Sequence, residues 1–260
     1  MPRTFTITTR QSFGEHESEH TIYVQDDRRR EEWRPSQNSI GGDGAVVQTY
    51  GPRTAAICRC DLGRMFSLDI DAGEYESCRL VTFNSRFYWL RAIRFFLVHP
   101  LRAWKENRRR PPTVLVETTT VDTGERKDMF GFIARRVITT EQRKPVAPST
   151  DDESETRTDG WYIDIDPTIA CERLPPGTRT FLSVRQLGQP REVPQFKDVG
   201  PRERGYPVDV TSAYTSTATL ADGTPKVFTT TSRTWVTHLS TDALDPSLFE
   251  VPGSFRKKPR

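Results

Sequence analysis

An alternation of side chains with a period of two runs through most of this chain, and it constrains the fold more than any other feature. The opening stretch TFTITTRQSF sets Phe5, Ile7 and Thr9 against Thr4, Thr6 and Thr8. Residues two apart share one face of a strand, so such a stretch buries one side and wets the other. The next stretch, HTIYVQ, is β-branched and aromatic, and TAAICRC, RMFSLDI and EYESCRLVTF follow, separated by DLG and DAG. Short strands at such spacings describe an antiparallel meander. Further strands are expected in TVLVETTTV through ARRVITTEQR, with DTGERK as the hairpin turn, in RTDGWYIDID, and in a last long hairpin turning at Asp222-Gly223. The glycine-rich SIGGDGAVVQTYG reads as a connection, because it lacks the strand-to-helix setting and the Lys-Ser/Thr of a phosphate loop.

One segment breaks the rhythm. Between Arg86 and Pro112, Trp89, Ile93, Phe96 and Leu97 recur at helical spacing, and Pro100 interrupts the run. Arg86, Arg91 and Arg94 make it too charged, and the proline makes it too short, to span a bilayer. The expectation is one or two helices packed across the sheet, with a lid or a membrane-surface contact through Arg86–Asn107 as the functional version.

The order His16, Glu17, His20 matches the H-E-x-x-H of zinc peptidases, which requires a helix to bring both imidazoles to one ion. Here the flanks are strands, the run GEHESE from Gly14 reads as the tip of a hairpin, and the remaining histidines, His99 and His238, are isolated. A zinc metallohydrolase at His16 and His20 is therefore the least favoured reading; no catalytic residue, metal or cofactor is expected. Asp164 and Asp166 flank a strand end beside Pro167 and read as solvated. Of the four cysteines, Cys58 and Cys60 share a strand face and would strain to bond each other, so a disulfide from Cys58 or Cys60 to Cys78 on a neighbouring strand is the expected geometry. Unpaired buried thiols are the other reading.

The 260 residues, with 34% hydrophobic and 28% charged, suit a globular domain with a sizeable core. A net charge of +3 without a basic helix or face gives no reason to expect nucleic acid as a partner. MPRTFTITTR lacks the apolar core of an export signal.

The pieces RCDLGRMFSLDIDAGEY, DTGERKDMFGFIARRV, DGWYIDID and LDPSLFEVPGSF, in this order, resemble bacterial envelope families related to the lipoprotein-localisation carriers (LolA/LolB-like), including GLPGLI-like domains of unknown function. The resemblance runs from about Phe5 to Phe255. It implies an all-β fold: a strongly curved antiparallel sheet or incomplete β-barrel of about ten strands, with one or two helices on the concave side. It also implies a periplasmic or cell-envelope location, the export signal lying outside this chain. A single domain over 1–255 is expected, with a helical lid at 84–110, an acidic loop at 143–156, a proline-rich connection at 186–205 and a basic tail at 256–260.

The function that follows is non-enzymatic binding of a hydrophobic or amphipathic ligand, such as a lipid or lipoprotein acyl chain, between sheet and helices. Phe5, Ile7, Trp89, Ile93, Phe96, Phe130, Phe132, Trp161 and Trp235 are the candidate lining. The rival is a module with a filled core that meets an envelope protein, for instance in stress sensing.

Overall fold

The computed structural model describes residues 4–14, 16–40, 46–80, 112–146, 153–172, 193–219 and 224–259. Among them lie fifteen strands: β1 Thr4–Phe13, β2 His16–Gln25, β3 Arg28–Trp33, β4 Ser36–Ile40, β5 Val46–Tyr50, β6 Thr54–Arg59, β7 Arg64–Asp69, β8 Glu74–Arg79, β9 Val114–Met129, β10 Phe132–Pro145, β11 Ser154–Ile163, β12 Pro194–Val199, β13 Tyr206–Thr219, β14 Pro225–Ser240 and β15 Arg256–Lys257. The all-β expectation holds, and the pairing is mostly antiparallel.

The finer expectation of about ten strands is corrected, because the described residues alone hold fifteen. Three stretches read as connection or tail contribute strands: β4 and β5 pair with each other, β12 pairs in parallel with β9, and β15 pairs in parallel with β8. The only helical turns among the described residues are two short 3₁₀ turns, Ala170–Glu172 and Pro246–Phe249, the second capped by the Asp245 carboxylate accepting from Ser247 N–H. No described helix is long and apolar enough to cross a membrane. The expected helical lid at 84–110, with its Arg86–Asn107 membrane contact, and the Asp222-Gly223 turn lie outside the described residues.

The chain forms two compact units. The first comprises Met1–Phe83, Ile165–Arg173 and Thr234–Arg260; the second, Asn84–Asp164 and Leu174–Arg233.

In the first unit the hydrogen-bonded order is β14-β1-β2-β3-β6-β7-β8-β15. Phe5 stands opposite Val24 and Ile7 opposite Ile22, so the alternation of β1 and β2 builds one apolar face. Ile22, Val24 and Cys58 on that face pack with Ile169, which reaches them from the segment that follows β11. The other face gathers Ala55, Ile57 and Leu68 against Phe249, with Leu244, Leu248 and Phe255 alongside. Among the described residues, short segments that include the two 3₁₀ turns thus cover both faces of this unit.

β3, of sequence RRREEW, lies between β2 and β6 although it is almost entirely charged. Its charges are neutralised by partners on both sides. Arg30 bonds Glu32 at 2.6 Å and the Leu248 carbonyl at 3.0 Å, while Arg29 meets Glu31 and Glu172. Arg59, almost fully buried, binds Asp61 through two bonds and also reaches Glu250, tying the chain after β14 to the sheet.

The second unit has the order β12-β9-β10-β11-β13-β14. The β9–β10 hairpin turns at Phe130-Gly131, both with positive φ, rather than at DTGERK. DTGERK instead lies within β9 beside a bulge, where the register shifts between Arg135 and Val137. Gly124 there has φ of 82° and donates to Asp122, a conformation in which glycine carries no Cβ penalty. The acidic stretch expected as a loop at 143–156 is partly strand: Arg143 pairs with Ser154.

Candidate functional site

Two places in the described residues combine reactive or recognition chemistry. They lie in different units and are treated in turn.

In the second unit, Arg157, Asp159 and Trp161 alternate along β11 and so share one face. The register sets Trp161 between Arg136 on β10 and Asp209 on β13, and Asp159 opposite Thr211. Together with Arg157, Ala213 and Arg233, these residues line an open groove of about 450 Å³. Arg136 grips Asp159 with two bonds of 2.8 and 2.7 Å, and Arg233 grips Asp209 with two of 3.0 Å. The Arg136 guanidinium holds the Asp159 carboxyl below its ordinary value, so that side chain is charged across the neutral range. Lys127 Nζ sits 5.8 Å from the centre of the Trp161 ring, within cation–π reach. The groove is therefore an aromatic face framed by fixed charges of both signs, three arginines against two aspartates.

In the first unit, Cys58, Cys60 and Cys171 bring their sulfurs within 4.8 Å of one another. Cys58 and Cys60 are two apart at the end of β6, and Cys171 comes from the 3₁₀ turn Ala170–Glu172. Cys60 and Cys171 form a disulfide with Cα atoms 5.5 Å apart; Cys58 and Cys78 are free thiols. The pairing expected from sequence, to Cys78, is thus replaced by one to Cys171. Met65 on β7 stands opposite both Cys58 and Cys78, so a whole strand separates those two. Two interstrand spacings amount to roughly 9.5 Å, beyond the reach of a disulfide.

Cys58 Sγ lies 3.6 Å from Cys171 Sγ, and the Cys171 backbone N–H donates to Cys60 Sγ at 3.2 Å. Around the sulfurs, Arg29, opposite Cys58 on β3, bonds Glu172 at 2.6 Å and also meets Glu31, which lies 3.6 Å from His20 Nε2. Burial, then the Glu172 carboxylate, push the Cys58 thiol up to about 11, with Arg29 working in the opposite sense. The hydrogen bond from His20 holds the Glu31 carboxyl below its ordinary value, with Arg29 adding to it. As three thiolates, these cysteines would suit one soft ion; in the disulfide form two of the sulfurs are already spent.

The expected lining residues are distributed as follows. Phe5 is half-buried against the Ile22–Val24 cluster, Ile7 is fully buried, and half-buried Trp235 is also in the first unit. Phe130, at the β9–β10 turn, Phe132 and Trp161 are in the second unit, and of these Trp161 lines the groove. Trp89, Ile93 and Phe96 lie outside the described residues. His16 and His20 both lie in β2, opposite Phe13 and Thr9. A strand carries residues four apart about 13 Å along its axis, which does not bring two imidazoles to one ion. His20 instead packs edge-on to Trp33 at 6.3 Å. Asp164 bonds Arg135 at 2.6 Å and Asp166 accepts from Thr168 N–H, so both carboxylates have structural partners.

Sequence reasoning passed over Cys171 and the groove arginines. The strands that carry Trp161 and its groove partners were legible as strands; which of them lie side by side, and in what register, was not, because cross-strand register is not written in one strand. Neither a protein-family model nor a curated protein matches the chain. The resemblance to the lipoprotein-localisation carriers accordingly rests on its sequence pieces alone.

Proposed function

We propose that this chain is a non-enzymatic binding module of an oxidising compartment, the periplasm or cell envelope, which meets a partner protein through the Trp161 groove. The observation that carries the reading is the groove itself: an accessible tryptophan flanked by Arg136, Arg157 and Arg233. Tryptophan and arginine dominate the energetics of protein interfaces because each offers a large rigid contact with a polar handle. Of the three arginines, Arg157 is exposed and forms no hydrogen bond or ion pair with a carboxylate among the described residues, though its charge acts on Asp159; its guanidinium is the one offered to an acidic group on the partner. The compartment is supported by the Cys60–Cys171 disulfide, since such bonds persist where thiol reductants are scarce.

The competing reading, a strongly curved cup holding a lipid, needs apolar wall left uncovered. Ile7, Ile22 and Val24 are instead buried in packed core. The test compares wild type with Trp161→Ala and Arg157→Glu, expressed with an export signal and cross-linked in cells. A partner cross-linked to wild type and lost with both variants, each retaining the wild-type circular dichroism, is the expected result. An identical cross-linking profile for all three ends the proposal. Recovery of a stoichiometric lipid by organic extraction of the native protein would establish the carrier reading instead.

A further inference from the structure

The first unit holds a third sulfur beside its disulfide, and the arrangement has the parts of a thiol–disulfide exchange. An attacking thiol needs proximity to one disulfide sulfur; Cys58 Sγ is 3.6 Å from Cys171 Sγ. A leaving thiolate departs more readily when a donor awaits it; the Cys171 N–H already points at Cys60 Sγ, 3.2 Å away. A buried anion needs a counter-charge; the Arg29 guanidinium stands opposite Cys58 in the strand register and is itself anchored by Glu172 and Glu31. The three sulfurs form a triangle, every pair within 4.8 Å, so Cys58 Sγ must swing by side-chain rotation into line with the bond it breaks.

We propose that Cys58 and Cys60 compete for Cys171, so that the protein exists in two disulfide forms, Cys60–Cys171 and Cys58–Cys171, interconverted by internal exchange. In the step, Cys58 Sγ loses its proton and attacks Cys171 Sγ. The Cys58–Cys171 bond forms, the Cys60–Cys171 bond breaks, and its electron pair leaves on Cys60 Sγ, which takes up a proton. One disulfide and one thiol enter and leave, so neither oxidant nor reductant is consumed. The exchange moves the covalent anchor of the Ala170–Glu172 turn from Cys60, just past the end of β6, to Cys58 within it, and so resets the hold on the segment that covers one apolar face of this unit. Such a covalent register shift is a two-state element within the first unit, independent of the groove chemistry proposed above.

The chain is suited to a direct test, because Arg59 separates Cys58 and Cys60 into different tryptic peptides. Free thiols of the full-length protein, held at pH 9 and then quenched in acid denaturant, are blocked with N-ethylmaleimide before digestion without reductant. The expected map contains both linked pairs, with the label divided between Cys58 and Cys60 and adding up to one per chain across those two positions. A map with only the Cys60–Cys171 pair and no label on Cys60 overturns the proposal. Cys60→Ser supplies the second arm: with oxidised glutathione it is expected to form Cys58–Cys171 and lose two hydrogen masses. If Cys60→Ser keeps Cys58 and Cys171 unlinked, carrying free thiols or glutathione, while Cys58→Ser retains its Cys60–Cys171 bond, the competition does not exist.

Discussion

Two free thiols in one unit face solvent differently, and the difference is measurable. Cys78 is exposed on β8, whereas Cys58 is buried beneath Ile169 with its thiol pushed up to about 11 by burial, Glu172 and Glu31 against the pull of Arg29. At pH 8 a disulfide dye is expected to titrate one thiol per folded chain, at Cys78, and a second only after denaturation. A second fast thiol that maps to Cys58 would contradict its burial. The sign of the linked stability follows: a thiol whose pKa is raised by folding holds its proton more tightly in the folded state. Its contribution is complete below the ordinary value of 9.0 and is lost as pH rises towards about 11. Urea midpoints are therefore expected to fall over that alkaline window in wild type and to fall less in Cys58→Ala. That Cys58 is core was among the readings sequence allowed, but its neighbour was not visible. Cys171 sits 111 residues from Cys60, in a stretch whose only signal is a proline after a strand.

The elements themselves divide by how local their causes are. β1, β2, β6, β7 and β11 carry their own alternation, and each was legible as a strand. RRREEW of β3 has no alternation of its own: by itself it reads only as the charged, solvated end of the strand before it, and Glu172 and Leu248, which satisfy it, come from far along the chain. The DTG of β9 was read as a turn on sound turn chemistry, yet its glycine serves a bulge, and the hairpin closes six residues later at Phe130-Gly131. β12 was hidden for a similar reason: prolines flank it, and its parallel pairing with β9 depends on strands remote in sequence. Gly200, directly after β12, has φ of 86°, and a Cβ there would collide with the Thr120 carbonyl oxygen. Gly200→Ala is expected to cost about 2 to 3 kcal/mol, from the strained backbone and the collision together. Chemical denaturation measures it, and an unchanged midpoint would show that β12 does not hold this approach. Of the groove, sequence supplied Trp161 as a candidate, while its arginine frame needed three neighbouring strands in register.

At the scale of the molecule, the first unit is assembled from three separated pieces of chain, and the Cys60–Cys171 bond joins two of them. The bond closes a loop of more than a hundred residues, for which chain entropy alone predicts about 4 to 5 kcal/mol of stabilisation. Cys171→Ser is expected to lose much of that, read as a fall in the urea midpoint that dithiothreitol reproduces in wild type but not in the variant. Equal sensitivity of both to dithiothreitol would mean that the bond contributes nothing to folding. The last of the fold's devices is its smallest. β15 is two residues, Arg256 and Lys257, laid in parallel along β8, with Arg256 and Lys258 reaching Glu74 at 3.8 and 3.9 Å. A sheet margin left bare invites a second chain to zip onto it, and a short cationic cover is a known deterrent. Removal of residues 256–259 is expected to leave the fold intact but the protein more prone to associate, seen as concentration-dependent growth in light scattering. In that light the basic run Arg256–Lys258 is a guard: these few charged residues discourage neighbouring copies from joining the sheet.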